Sequence, residues 1–124
     1  MKTDTTDVEH RSGDVPLPTN TIFDLLLDQR RRYVLYYLSR RLGAVSIEEL
    51  TEAIELREGT QRSDSLERIS TGLHHNHLPK LVDANVVKYD PTTERVERLP
   101  AASKLDPYLE LAAIDDLSQR ARCS

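Results

Sequence analysis

Residues 73–87 read Leu73-His74-His75-Asn76-His77-Leu78-Pro79-Lys80-Leu81-Val82-Asp83-Ala84-Asn85-Val86-Val87, and the fold turns on how this stretch divides. With Leu66 and Ile69 just upstream, positions Leu73, His77, Leu78, Leu81 and Val82 recur at three- and four-residue steps, the period of one helix face. Pro79 interrupts that helix. Its ring opposes the carbonyl of His75 and removes one ladder bond, which predicts a kink rather than a stop, because the apolar rhythm runs on to Ala84. Asn85 then stands where a left-handed cap residue is needed, a conformation Asn tolerates better than most residues. Val86–Tyr89 reads as a strand, Asp90-Pro91-Thr92-Thr93 as a type I turn, and Glu94–Leu99 as the returning strand of a hairpin.

Upstream, this third helix starts near Ser63–Ser65, after a polar loop over residues 57–63. Ser46-Ile47-Glu48-Glu49 is a capping box that opens a second helix, with Ile47, Leu50, Ala53 and Ile54 inward and Glu48, Glu49, Glu52 and Glu55 toward solvent. From Thr21 to Leu42 a longer amphipathic helix is predicted, its stripe running through Ile22, Phe23, Leu26, Leu27, Tyr33, Val34, Tyr37, Leu38 and Leu42 until Gly43 ends it. Residues 1–19 lack the apolar surface to offset ordering entropy and read as a disordered acidic leader. Downstream, Asp106-Pro107 is a cap followed by Pro at the first helical position, opening a last helix with Tyr108, Leu109, Leu111, Ala112, Ala113 and Leu117 on its apolar side.

The fold class expected is therefore mainly α with a small β-hairpin. Residues 20–100 are expected to form one domain of three helices and the hairpin, and residues 101–124 to supply a C-terminal helix as a dimerisation element with a short tail. A chain of 124 residues is enough for one domain with its own core. The lone Cys123 excludes a disulfide framework and makes a cytoplasmic location the default. Apolar runs of four to six residues are too short to span a bilayer, and the first 20 residues contain no apolar signal core, so neither membrane nor export is expected. The formal net charge of −4 argues against a non-specific polycation, yet residues 21–45 carry +3 beside −4 over residues 46–61.

The order helix, helix, helix, hairpin resembles a winged helix-turn-helix, and particular residues carry the likeness. Asp28-Gln29-Arg30-Arg31-Arg32-Tyr33-Val34-Leu35 is similar to the opening of metal-sensor-like, ArsR-type regulators. Val45–Ile54 resembles the first helix of their helix-turn-helix, and residues 73–87 resemble their recognition helix and the start of the wing. The phrases Leu73–Leu81, Val87–Pro91 and Pro107–Ala112 resemble more closely still a haloarchaeal winged-helix domain family of unknown function. The likeness covers about residues 20–117. The sequence departs from the regulator pattern in its longer loop over 57–63 and in Asn85, which stands where Gly is usual. The resemblance implies a DNA-binding transcriptional regulator, though fold analogy alone is a weak warrant.

A third helix lying in the major groove would present Arg68, Ser70, Thr71 and His75 outward, with Gln61, Arg62 and Ser63 at its start. Arg pairs bidentately with guanine and Gln with adenine, while Ser and Thr serve phosphates or either base. Lys88, Arg95 and Arg98 on the hairpin are placed for the backbone or a minor groove. The plainer reading of all these residues is a solvated face balanced by Asp64 and Glu67. His74, His75 and His77 invite a metal, but zinc wants three or four ligands and no Cys lies nearby. His77 also falls in the core-facing phase, where a hydrogen-bonded structural histidine is commoner, so no metal or cofactor is expected. Of Arg30, Arg31 and Arg32, one is expected to anchor a carboxylate inside the fold and two to be exposed. Tyr33, Tyr36 and Tyr37 are expected in the core and a dimer surface.

Catalytic motifs are missing, and Asp115 and Asp116 diverge by about 100° on a helix, so they form no acid–base pair and no enzyme is expected. The expected partners are double-stranded DNA and a second copy of the chain. The competing class is a protein-interaction module that keeps the fold without DNA binding, favoured by the negative total and the acidic second helix.

Overall fold

The computed structural model of the chain describes residues 17–58 and 66–123, the last six by backbone alone. In chain order the elements are α1 (Thr19–Leu26), α2 (Gln29–Ser39), β1 (Val45–Ser46), α3 (Ile47–Glu58), α4 (Leu66–Gly72), a π-helical turn (Leu73–His77), α5 (Leu78–Asp83), β2 (Val87–Asp90), β3 (Arg95–Arg98), a 3-10 turn (Pro100–Leu105) and α6 (Asp106–Cys123). The architecture is mainly helical, with a small three-stranded antiparallel sheet and a C-terminal helix, and is compatible with a winged helix-turn-helix. No described helix is long and apolar enough to cross a membrane. Residues 1–16 of the expected leader lie outside the described residues, and Leu17 packs against the core just before α1.

The single helix expected over Thr21–Leu42 is two helices. Asp28 breaks it by adopting extended backbone, and its carboxylate accepts the N–H groups of Arg30 at 2.8 Å and Arg31 at 3.4 Å. That cap satisfies donors a helix start leaves unpaired, so a new helix begins where the apolar period alone would continue the old one. The inward face of α1 is consequently Ile22 and Leu25, while Phe23 and Leu27, expected in the stripe, are exposed. Leu42 is fully exposed too, since α2 ends at Ser39, four residues before Gly43 takes its left-handed turn.

Ser46 caps α3 as expected, its Oγ accepting the Glu49 N–H at 3.0 Å. The reciprocal half of the box is replaced: the Glu49 carboxylate accepts the Tyr37 hydroxyl instead. Arg57 and Glu58, read as loop, are the last turn of α3. In the third helical unit Ile69, Leu73, His77, Leu78 and Leu81 are buried, whereas Leu66 and Val82 are exposed. The kink expected at Pro79 takes the form of the preceding π turn, closed by the Leu78 N–H on the Leu73 carbonyl five residues back. This widened turn meets the proline without ending the helix, and its extra residue shifts the phase so that Leu81 rather than Val82 reaches the core. Asn85, at φ +64°, ends α5 with its own N–H on Val82 and the Val86 N–H on Leu81, at 2.9 and 3.2 Å.

The hairpin β2–β3 pairs Val87 with Arg98 and Tyr89 with Val96, and the two-residue β1, absent from the expectation, adds Val45 opposite Val96. Its loop closes one residue later than a type I turn, by the Glu94 N–H on the Asp90 carbonyl at 2.7 Å, with Glu94 at φ +55°. The Glu94 carbonyl then accepts the Ile47 N–H at 3.0 Å, which seats the wing on the start of α3. Val96 in the central strand, with Val34, Leu35, Leu38, Leu50, Ile54, Leu73, Leu81 and Leu105, makes one continuous core.

Candidate nucleic-acid interface

Three consecutive arginines open α2, and successive helical residues point about 100° apart. Arg30 meets Glu58 at the end of α3 in a two-pronged pair, Nε to Oε2 at 2.5 Å and Nη2 to Oε1 at 2.9 Å. Arg31 is buried and donates to the carbonyls of Leu25 at 2.8 Å and Asp24 at 2.9 Å, closing the C-terminus of α1. Arg32 reaches Asp116 on α6, with Nε to Oδ2 at 2.7 Å and Nη2 to Oδ1 at 3.1 Å. All three hold elements together, where one anchor and two exposed side chains were expected. None of them faces outward for a phosphate.

Asp116 is the residue that sequence reasoning missed. Besides Arg32 it accepts the Tyr36 hydroxyl at 2.6 Å and the Gln29 amide at 3.2 Å. Burial works to raise its pKa, but the hydrogen bonds from Arg32 and Tyr36 and the arginine charge outweigh it, holding the carboxyl below its usual range. The phenol of Tyr36 is correspondingly pushed up, by burial first and by the neighbouring carboxylate second. An aspartate 84 residues from its arginine leaves no local signal, so only the three-dimensional fold reveals the pair.

The histidines separate. His77 is buried, its Nδ1 lies 3.4 Å from Arg31 Nη1 and its Nε2 4.0 Å from Asp28. Burial lowers its pKa, Asp28 opposes that, and the charges of Arg31 and Arg30 add to the lowering, so the ring is a neutral structural group. His74 sits with Nδ1 3.0 Å from the Ser70 carbonyl and its ring edge-to-face with Tyr89, joining the helix to β2. His75 points to solvent. Among the described residues no group of three or more His, Cys, Asp or Glu is placed to hold a metal ion.

Of the residues expected to meet DNA, Gln61, Arg62 and Ser63 lie outside the described residues. Arg68, Thr71 and His75 are exposed along the third helical unit, on the side away from Ile69, Leu73 and Leu78, and Ser70 is half-buried beside them. The wing cations each have a partner within the fold. Lys88 lies 3.7 Å from Glu97 across the hairpin, Arg95 donates to the Ala44 carbonyl at 2.8 Å, and Arg98 grips Asp106 at 2.8 and 3.0 Å. The Lys88–Glu97 pair is a direct cross-strand neighbour, so it follows once the hairpin register is known. The structure thus brings Arg68, Thr71 and His75 onto one helix face, with Lys88 and Arg95 exposed on the adjoining wing and Arg98 turned toward α6.

One protein-family model, a domain of unknown function (DUF7344), matches residues 23–97, more than half of the chain. No curated protein and no solved structure matches it.

Proposed function

The chain belongs to the DUF7344 family of unknown function, and from that footing we propose that it is a DNA-binding transcriptional regulator of the winged-helix type. Its third helical unit lies in the major groove and its hairpin against the backbone. The observation that carries this reading is the division of one helix: Ile69, Leu73, Leu78 and Leu81 anchor it to the core, and Arg68, Thr71 and His75 stand exposed on it. Asn85 then turns the chain directly into the wing. Arg and Thr side chains so placed serve phosphates and base edges.

The regulator acts as a homodimer. Phe23 on α1 and Tyr108 on α6 stack edge-to-face, 5.8 Å between ring centroids, and with Leu27, Leu111 and Ile114 they leave an apolar surface on these two helices exposed. Large apolar side chains left exposed beside one another, as Phe23 and Tyr108 are, mark an association face, and two-fold pairing would present two third helices to successive major grooves. Reversing charge with Arg68→Glu tests the DNA reading: binding to duplex should fall by tenfold or more while the circular dichroism spectrum stays unchanged. Unaltered binding would contradict it.

A second reading, a protein-interaction module, is favoured by one observation. Lys88, Arg95 and Arg98 are each engaged within the fold, which lowers the charge the wing offers to phosphates. Under that reading Arg68→Glu leaves capture of a protein partner intact.

A further inference from the structure

The imidazole of His77 joins the third helical unit to the place where α1 ends and α2 begins, and the DNA reading does not use it. It projects from the π turn and is 5% exposed. Its Nδ1 lies 3.4 Å from Nη1 of the buried Arg31, and its Nε2 lies 4.0 Å from Asp28. A guanidinium carries donors only and does not give up its proton in a protein. Nδ1 must therefore be the acceptor, which puts the proton of the neutral ring on Nε2, toward the Asp28 carboxylate.

A second proton does not fit that arrangement. Protonated at Nδ1, the ring turns a donor toward a donor and sets two cations side by side in a buried place. A buried histidine that donates to a carbonyl keeps its bond in either form; His77, held by an arginine, cannot. Among the described residues the ionisable groups facing the ring are Asp28, between the two helices, and Arg31 and Arg30 on α2. Asp28 favours the charged ring, and burial with the two arginines outweighs it.

What Arg31 holds is α1. Its Nε and Nη2 take the carbonyls of Leu25 and Asp24, and this eight-residue helix buries only Ile22 and Leu25. The other tie, Lys80 of α5 to Asp24 at 3.8 Å, is an exposed pair and holds weakly. The neighbouring helices are rooted more deeply, α2 through Tyr33, Val34, Leu35 and Leu38 and α3 through Ile47, Leu50 and Ile54. A disturbance at Arg31 thus loosens α1 first.

We propose that His77 is a proton-operated latch: the neutral ring holds the junction of α1 and α2 to the π turn, and protonation at Nδ1 frees α1 while the rest of the domain stays folded. The latch acts within the free chain, so it stands or falls apart from the DNA reading.

The test is NMR of the isotopically labelled full chain, without DNA, from about pH 8 to about pH 4.5, reading the ring nitrogens of His77 together with the backbone amides. The neutral ring should be the Nε2–H tautomer, and it should take its second proton with a midpoint below the ordinary value of about 6.5. Amides of Asp24, Leu25, Asp28 and Arg31 should shift with that same midpoint, and hydrogen exchange in α1, corrected for the intrinsic rate, should quicken by about tenfold or more while Leu50 and Val96 stay protected. His77→Gln, whose amide oxygen accepts from Arg31 at every pH, should lack the transition. The tautomer and the midpoints come from the unaltered chain and need no variant. The Nδ1–H tautomer, a midpoint at or above about 6.5, α1 unaffected as the ring titrates, or Leu50 and Val96 loosening together with α1 would each overturn the proposal. So would a transition that persists in His77→Gln.

Discussion

Arg32 in the first turn of α2 and Asp116 in α6 form a two-pronged ion pair, 2.7 and 3.1 Å, that fastens the C-terminal helix to the domain. Asp116 is 6% exposed, and the Tyr36 hydroxyl and Gln29 amide complete its coordination. Removing one partner of such a pair strands the other, at a cost of about 3–5 kcal/mol for fully buried groups. Because Arg32 keeps some exposure, Asp116→Ala should cost about 3 kcal/mol, the lower end of that range. Urea unfolding measures it, and a loss below about 1 kcal/mol would show the surface-like behaviour of an unimportant pair.

Acid should destabilise the protein in two stages. His77 has a folded pKa below its unfolded value of about 6.5, so the folded state binds fewer protons and stability falls as pH drops from there through the folded value. Asp116 has a folded pKa below the unfolded value of about 3.9, so its contribution is present above that pH and is lost below it. Both slopes have the same sign, and the His77 loss sets in at the higher pH. His77→Gln should abolish the upper stage and leave the lower one, read as unfolding free energy against pH.

Much of this fold is legible in the sequence where the signal is local. Asn85 is left-handed, Ser46 caps α3 and the hairpin forms, each from chemistry within a few residues. Asp106, expected as the cap of the last helix, is instead its first helical residue, entered straight from the 3-10 turn, and its carboxylate takes Arg98. The failures share a cause as well. The apolar period on both sides of Asp28 reads as continuous, and the break there is set by how α1 packs against α2, with Asp28 in extended backbone between them. The π turn and the exposure of Val82 depend on how a proline is accommodated, which several geometries permit. At the candidate interface, Arg68, Thr71 and His75 were readable from helical phase. The partners of Lys88, Arg95 and Arg98 were not, because they come from strand register and from α6.

The wing carries a strained residue that can be relieved. Glu94 sits at φ +55° with a carbonyl that must hold Ile47, and a side chain there costs about 1–2 kcal/mol. Glu94→Gly should therefore raise stability by about 0.5–1 kcal/mol once the added freedom of the unfolded chain is counted. Thermal unfolding checks it, and Glu94→Val should move the midpoint the other way.

The proposed dimer pairs through the exposed apolar residues of α1 and α6. On that proposal a charge placed at Leu111, exposed in the single chain, should give a monomer without loss of fold. Light scattering at micromolar concentration on Leu111→Glu and the parent protein decides this. A parent protein that is already monomeric would remove the dimer from the account.

The most direct test of DNA binding is fluorescence anisotropy of a labelled duplex taken from upstream of the protein's own gene, beside a scrambled duplex, across a salt series. Binding is expected to be tighter for the upstream duplex, with a log–log salt slope of several, since the slope is about −0.9 per phosphate neutralised. No binding to either duplex at any salt would contradict the account and leave the protein-interaction module in its place.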